Sequence, residues 1–154
     1  MTRPQHVYEI EIAASAAAVW TAITDSDWTE RYFFGTRFVE PPQVGQPYRT
    51  VLPDGEPAVE GVVAELTPPS AGVPGRFVQT WHIRYDEALA QEPAGRVEWS
   101  VTEVAPGRTR VRLVHSGLGD SPLTSAEVEH GWVRLLENLR SVLETGLPLR
   151  STAA

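Results

Sequence analysis

Two residue types are missing from the sequence, and each absence excludes a kind of chemistry. Without cysteine the chain can form no disulfide, no thiolate metal site and no cysteine nucleophile. Without lysine no side chain can form a Schiff base with a carbonyl substrate. All 13 basic residues are therefore arginines, which we interpret as the bias of a GC-rich bacterial genome and not as a functional device.

Long apolar runs and an excess of positive charge are absent as well. The longest apolar run is far shorter than a bilayer requires, so we expect no membrane insertion. The net charge of −7 disfavours nucleic acid as a partner, because affinity for phosphates depends on clustered positive charge. It also disfavours docking on anionic lipid. The N-terminus lacks the apolar core of a signal peptide, so we expect a cytoplasmic protein.

What is present is typical of a folded domain. The 154 residues are 42% hydrophobic and 21% charged, which allows a substantial core and does not indicate disorder. We find no repeat and no internal linker. The whole chain, 1–154 with an ordered core of about 6–147, is therefore predicted to form a single domain.

The first half of the chain combines one strand, two short helices and further strands. Tyr8, Ile10 and Ile12 share one face of the first strand. Ser15 is a good N-cap for a short helix that ends at 24, and a second short helix is predicted over 28–34, before Gly35. Alternating apolar residues predict strands over 36–40, 48–52, 58–66 and 76–85, with loops over 67–75 and 86–95.

The second half begins with a predicted hairpin of two strands, over 97–103 and 109–115. The turn at 105–107 has the length and the glycine of a tight hairpin. Simple pairing places Trp99 opposite Leu113 and Val97 opposite His115 on the apolar side. Arg108, Arg110 and Arg112 then form a row on the solvated side, where we expect Glu98 to balance them.

The last element is a long amphipathic helix, predicted from about 121 to 145. Gly146 and Pro148 follow it as stop signals. The residues expected on its solvated side are Glu127, Glu129, Arg134, Glu137, Asn138 and Arg140. Its apolar residues recur at spacings of three and four and form one stripe, made of Val128, Trp132, Leu135, Leu136, Leu139, Val142 and Leu143.

A sheet with one apolar face and a helix with one apolar stripe must bury the two against each other. We therefore predict an α+β helix-grip fold. In this fold a curved antiparallel sheet of about six or seven strands wraps around the long C-terminal helix, and two short helices follow the first strand.

Several short motifs resemble a known superfamily in the order in which they occur. They are VYEIEIAAS at 7–15, AVW at 18–20, AITD at 22–25, YFFG at 32–35, GVVAELTPP at 61–69, FVQTW at 77–81, LVHSG at 113–117 and GW at 131–132. Together they resemble the START-like (SRPBCC) superfamily, and most of all the branch named after the activator of heat-shock-protein ATPase. The resemblance covers nearly the whole chain. It implies a deep cavity between sheet and helix, with a mouth near the second short helix.

The superfamily includes lipid carriers, hormone receptors, polyketide cyclases and co-chaperone domains, so the resemblance does not imply one activity. Our first hypothesis is a noncatalytic domain that binds a small apolar or aromatic molecule in the cavity. Aromatic side chains on the inner faces would grip a flat or aliphatic ligand. The predicted walls are Trp20, Trp81, Trp99, Trp132 and Leu136, and the predicted mouth is Trp28, Tyr32 and Phe33.

Two polar residues on the inner faces could fix a polar end of this ligand, namely Gln79 and His115. A purely structural interpretation competes with this one. The tryptophans could fill the core, and His115 could bond only to a backbone carbonyl. Glu103, beside the hairpin turn, is expected to be solvated.

Catalysis, metal binding and cofactors find little support in the sequence. Ser116 follows His115 directly, and neighbours on a strand point to opposite faces, so the two are not a nucleophile–base pair. The four histidines lack metal-ligand spacing, and no glycine-rich phosphate loop occurs. We predict no cofactor and no metal.

Two alternative functions stay open. One is a polyketide cyclase-like enzyme that uses the same cavity, in which His115, Gln79 or Tyr85 would line the interior. The other is a chaperone-type protein-interaction module, which would have a filled interior and an exposed apolar patch. The oligomeric state is also open, with a homodimer as one option.

Overall fold

The computed structural model describes residues 5–147 and contains one antiparallel sheet with helices packed on it. The elements follow in the order β1 (His6–Ile12), α1 (Ala16–Thr24), α2 (Ser26–Tyr32), β2 (Arg37–Phe38), β3 (Pro47–Val51), β4 (Pro57–Thr67), β5 (Gly75–Ile83), α3 (Glu87–Ala90), β6 (Gly95–Ala105), β7 (Arg108–Ser116) and α4 (Pro122–Thr145). The strand order is β1-β7-β6-β5-β4-β3-β2, and every neighbouring pair is antiparallel. The predicted helix-grip fold is confirmed.

The hairpin of β6 and β7 has the predicted register over most of its length. Trp99 pairs with Leu113, and Val97 pairs with His115. The register shifts between Glu103 and Ala105, close to the turn, where one residue of β6 bulges out. The bulge leaves the inner face unchanged, because it lies beyond the residues that face the core.

Helix α1 begins at two independent caps. The hydroxyl of Ser15 accepts from the backbone N–H of Ala18 at 3.1 Å, as its predicted role requires. Oε1 of Glu103 accepts from the backbone N–H of Ala16 at 2.8 Å. Glu103 is exposed, as expected, but it also joins β6 to the start of α1, which sequence patterning did not indicate.

Helix α4 packs its apolar stripe on the sheet and ends as predicted at Gly146. Asn138, expected on the solvated side of the helix, is buried. Gly146 adopts a left-handed φ of 81°, and its N–H donates to the carbonyl of Val142 at 2.9 Å. The role expected for Pro148 lies outside the described residues. Within residues 5–147 no helix combines the length and the apolarity needed to cross a bilayer.

The segment between β5 and β6, predicted as a plain loop, contains α3 and supports α4. The carboxylate of Asp86 accepts from the N–H of Leu89 at 3.0 Å and starts the short helix. Farther on, Glu92 accepts from the N–H groups of Leu123 at 2.9 Å and Thr124 at 2.7 Å. Glu92 therefore caps α4 from a distant loop, a role that the side chain of the N-cap residue Ser121 does not perform.

The row of arginines on β7 is balanced by a different strand from the one predicted. Arg108 pairs with Glu11 at 3.1 Å, and Arg110 lies 3.5 Å from the same carboxylate. Glu98, the predicted partner, pairs instead with Arg76 at 3.0 Å. The reason is the sheet order, because β1 lies beside β7 and brings its own acidic residues to the arginine row.

Candidate ligand-binding cleft

An open cleft of about 520 Å³ lies between α4, the inner face of β3 to β5, and the segment after α2. Its aromatic lining consists of Phe33, Phe34, Trp81, Tyr85 and Trp132. Its aliphatic lining consists of Leu52, Ala58, Val59, Ile83, Val128 and Leu135. The remaining lining is Thr36, Thr50, Glu127, His130, Gly131 and Arg134. The cleft is thus apolar inside, with its charged side chains on one side of α4.

Two sequence periodicities bring these residues together. Along β5 and just beyond it, Trp81, Ile83 and Tyr85 alternate with solvent-facing residues and so share one face. Along α4, Val128 and Trp132 are separated by one turn and face the same strands. The helix and the strand therefore supply opposite walls of the cleft.

The deepest part of the wall is a cluster of packed aromatic rings. The ring centroids of Trp81 and Trp132 are 5.1 Å apart, and Phe33 lies 6.0 Å from each. Trp99 meets Trp132 edge to face at 5.9 Å. Such arrangements are favourable for aromatic pairs and hold each ring in one orientation. Trp81 and Trp132, predicted as walls, and Phe33, predicted at the mouth, therefore lie together at one wall.

His115 lies behind this wall and orients one of its rings. The indole N–H of Trp132 donates to Nδ1 of His115 at 2.9 Å, which places the imidazole proton on Nε2 in the neutral form. Burial, with a smaller contribution from the charge of His6, lowers the pKa of His115 to about 3. His115 is fully buried and does not line the cleft. It is neutral at physiological pH and positions Trp132.

Trp81 carries an unusual polar atom for a wall residue. The side chain is 7% exposed, and its indole N–H has no acceptor among residues 5–147. A buried donor without a partner costs about 1–3 kcal/mol. Nε2 of His115 is likewise without a partner in the described part of the chain. The protein thus leaves two buried donors unsatisfied close to the aromatic wall.

A second, much smaller cavity lies beneath the cleft. It measures about 20 Å³ and is bordered by Gln79, Trp99 and the rings of Phe33 and Trp81, which also line the cleft. A space of this size can hold about one water molecule. Gln79 and Trp99 therefore lie one layer behind the cleft.

The other predicted site residues line neither cavity. Trp20 packs edge to face on Phe77, with centroids 6.5 Å apart. The guanidinium of Arg31 covers the ring of Trp28 at 4.9 Å. The hydroxyl of Tyr32 donates to the carbonyl of Ala22 at 2.7 Å, and Leu136 is buried in the core. Whether any of the predicted residues contacts a ligand stays a prediction.

Tyr85 lines the cleft, as the cyclase-like alternative predicted, whereas Glu127, Arg134 and Phe34 line it without having been predicted to do so. The hydroxyl of Tyr85 donates to Oε2 of Glu127 at 2.7 Å across the mouth. Partial burial, followed by the Glu127 hydrogen bond and charge, raises the pKa of Tyr85. Glu127 and Arg134 were expected on the solvated side of α4. They line its edge because they lie three or four residues from Gly131, which faces the cleft.

Phe34 is another lining residue that was not predicted. It is 41% exposed and has a φ of 55°, the only positive φ of a non-glycine residue between 5 and 147. An aromatic residue in the left-handed region costs about 1–2 kcal/mol. The YFFG motif includes this residue, but nothing in the motif indicates its backbone conformation.

The geometry bears differently on the two alternative functions. The cyclase-like hypothesis required His115, Gln79 or Tyr85 at the cavity, and of these only Tyr85 reaches the cleft. The interaction-module hypothesis required a filled interior, whereas the structure has an open cleft. No group of three or more His, Asp or Glu side chains able to hold a metal occurs in the part of the chain that the structure describes.

The seven-stranded sheet, the long α4 helix and the cleft between them define a START-like helix-grip protein. The chain belongs to the family described as activator of Hsp90 ATPase homolog 1-like proteins, whose sequence model matches residues 13–144. No curated protein is significantly similar to the sequence.

Several solved structures share the fold. DynU16, a protein in the dynemicin biosynthetic locus, is 22% identical with a TM-score of 0.75 over 96% of this chain and 49% of its own. The chain therefore spans about half the length of DynU16. MLL2253 from Mesorhizobium loti is 22% identical, with a TM-score of 0.73 over 92% of this chain and 97% of its own. The Aha1 dimer from Colwellia psychrerythraea is 19% identical, with a TM-score of 0.71 over 93% of this chain and 98% of its own.

Proposed function

We propose that the chain binds a small, largely apolar molecule in the cleft between α4 and the sheet. The observation that carries the proposal is the cleft itself, about 520 Å³ with walls of aromatic and aliphatic side chains. Binding sites for small molecules measure roughly 300–1,000 Å³ and are mostly apolar with a few polar groups. The cleft has this size and this composition.

The strained conformation of Phe34 supports the same proposal. Backbone strain persists where the surrounding structure enforces it, and it concentrates at ligand-binding segments. Phe34 lies at the mouth with its ring partly exposed. Full burial of the ring therefore does not offset the energy of its strained backbone. A ligand that covers Phe34 would bury the exposed part of that ring.

The unpaired indole N–H of Trp81 supports a ligand with an oxygen atom at its buried end. The ring of Trp81 lines both the cleft and the small cavity beneath it. A hydroxyl or carbonyl oxygen reaching this N–H after a small shift of the ring would provide the missing acceptor. An alcohol is therefore a better probe than a hydrocarbon.

Gly131 provides the sharpest test of the binding site. It lies within α4 and lines the cleft, and a Cβ atom added to it would meet nothing within 4 Å. Gly131→Leu would place a branched side chain in the cleft, whereas Gly131→Ala adds only one methyl group. Both replacements improve helix propensity, so neither is expected to unfold the protein.

The experiment is a calorimetric titration of the native protein and the two variants with decanol and naphthol. We expect saturable binding to the native protein and to Gly131→Ala. Gly131→Leu should bind the same probe at least about tenfold more weakly, because the added side chain occupies ligand space. Equal binding by all three proteins would place the site elsewhere, and no binding of either probe to the native protein would contradict the proposal.

A further inference from the structure

Arg134 is a cation without a partner at the edge of an otherwise apolar cleft. It lines the cleft and makes no hydrogen bond or ion pair with any residue between 5 and 147. Most arginines of this acidic chain are paired, as Arg49 is with Glu60 at 3.3 Å and Arg76 with Glu98 at 3.0 Å. Within the described part of the chain, therefore, no carboxylate pairs with the guanidinium of Arg134.

The other charged group of the cleft lies at the opposite end of the same helical edge. Glu127 precedes Arg134 by seven residues, which is about 10 Å along a helix. Its carboxylate already accepts from the hydroxyl of Tyr85 at 2.7 Å. His130 lies between them and has no hydrogen-bond partner in residues 5–147. Along this edge of α4, the acidic group Glu127 is therefore hydrogen-bonded, whereas the basic group Arg134 has no partner within residues 5–147.

We infer that the ligand carries a carboxylate, which Arg134 holds at the mouth while the apolar body of the ligand lies over Gly131 against Trp132. The inference rests on the proposed function and adds the chemical class of the ligand, a largely apolar carboxylic acid. Its carboxylate lies at the mouth, apart from the oxygen atom proposed near Trp81 at the buried end. A guanidinium suits this group because its parallel N–H donors match the two carboxylate oxygens. Gly131 helps, since it leaves the surface of the helix open one turn before Arg134.

The test compares three ligands that share one alkyl chain, namely decanoate, decanol and decylamine, at neutral pH. We expect the native protein to bind decanoate about three- to tenfold more tightly than decanol, the range of a partly exposed charge-assisted hydrogen bond. Decylamine should bind more weakly than decanol. Added salt should weaken binding of decanoate more than binding of decanol.

Two arginine variants show which residue produces the preference. Arg134→Gln should lower the affinity for decanoate to that for decanol. Arg140→Gln is the matched control, because Arg140 is exposed on the same helix and does not line the cleft. This control should keep the preference of the native protein for decanoate.

The outcomes separate this inference from the proposed function. If decanol binds and decanoate has no advantage, or if the advantage survives in Arg134→Gln, the carboxylate assignment is wrong although the cleft still binds apolar molecules. Tightest binding of decylamine would assign the mouth to cations held by Glu127 and would also overturn the inference. If none of the three ligands binds, both proposals fail.

Discussion

His115 shows how a residue without ligand contact can shape a binding wall. It is neutral and buried, and its Nδ1 accepts the hydrogen bond that fixes the ring of Trp132. Protonation would destroy this acceptor and place a charge in the core. The wall of the cleft therefore depends on a group that must stay neutral.

The depressed pKa of His115 predicts acid sensitivity. In the unfolded chain His115 has a pKa of 6.5, and in the folded chain its pKa is about 3. The unfolded state therefore binds a proton on His115 at a higher pH than the folded state does. Stability from this group is thus complete above pH 6.5 and is lost as the pH falls towards 3. We expect a decrease of about 3 kcal/mol in the free energy of unfolding from pH 7 to pH 4 from His115 alone.

Chemical denaturation at a series of pH values measures this loss. His115→Gln should unfold with a weaker dependence on pH between 6.5 and 4, while His130→Gln, an exposed histidine of α4, should follow the native protein. The imidazole ¹⁵N chemical shifts give a second measurement that does not need the variant to fold. A His115 ring that is protonated at pH 5 would contradict the account.

Phe34 predicts a contrast between two substitutions. Asparagine tolerates the left-handed conformation, whereas a β-branched residue does not. Phe34→Asn should therefore leave the free energy of unfolding within about 1 kcal/mol of the native value or raise it, and Phe34→Val should lower it by about 1–2 kcal/mol. Urea denaturation measures both, and equal stabilities of the two variants would show that the backbone is not strained.

The sequence predicted individual residues unevenly, for a physical reason. Trp81 and Trp132 face the cleft because strand and helix periodicity decides the face of each residue. The hydrogen bond between Trp132 and His115 joins side chains of two different elements, α4 and β7. The spacing of residues along the sequence cannot predict such a contact. The left-handed φ of Phe34 could not be predicted from the sequence either, because bulky aromatic residues rarely adopt this conformation.

Helices and strands were predicted well where the residues within the element, or directly beside it, determine its register and its ends. The register of the β6–β7 hairpin and the end of α4 follow from alternation and from one glycine. The two caps supplied by Glu103 and Glu92 come from distant segments. Such caps depend on the tertiary fold, so local sequence patterns could not indicate them.

The cap from Glu103 predicts a measurable contribution to α1. Replacing Glu103 with glutamine keeps an acceptor and removes the charge, whereas alanine removes both. We expect Glu103→Ala to lower the free energy of unfolding by about 1 kcal/mol and Glu103→Gln by less than that. Urea denaturation checks the order. Equal stability of Glu103→Ala and the native protein would mean that Ser15 alone caps the helix.

Two glycines predict effects of opposite sign for the same substitution. Gly131→Ala should raise the free energy of unfolding by about 0.5–1 kcal/mol, because the helix gains propensity and the methyl group meets open space. At Gly61 of β4, a Cβ atom would lie 2.1 Å from the backbone carbonyl oxygen of Thr80. Gly61→Ala should therefore be destabilising by more than about 1 kcal/mol. Thermal denaturation compares the two, and a loss of stability in Gly131→Ala would mean that α4 is packed more closely there.

For the molecule as a whole, topology was more predictable than the space inside it. One apolar sheet face followed by one amphipathic helix leaves few ways to bury both, and the antiparallel sheet packed on α4 agrees with that expectation. Whether the helix fills the hollow depends on side-chain sizes at facing positions. In the second half of α4, Leu136 and Leu139 are buried in the core, whereas Gly131, between one and two turns before Leu136, lines the open cleft.

The five tryptophans make it possible to locate a bound molecule directly. Their indole N–H groups give separate signals in a ¹H–¹⁵N correlation spectrum, and a titration with decanol would follow all of them at once. We predict saturable shifts for Trp81 and Trp132, which line the cleft, and none for Trp20 and Trp28, which do not. Shifts at Trp20 or Trp28 with Trp81 and Trp132 unchanged would contradict binding between α4 and the sheet.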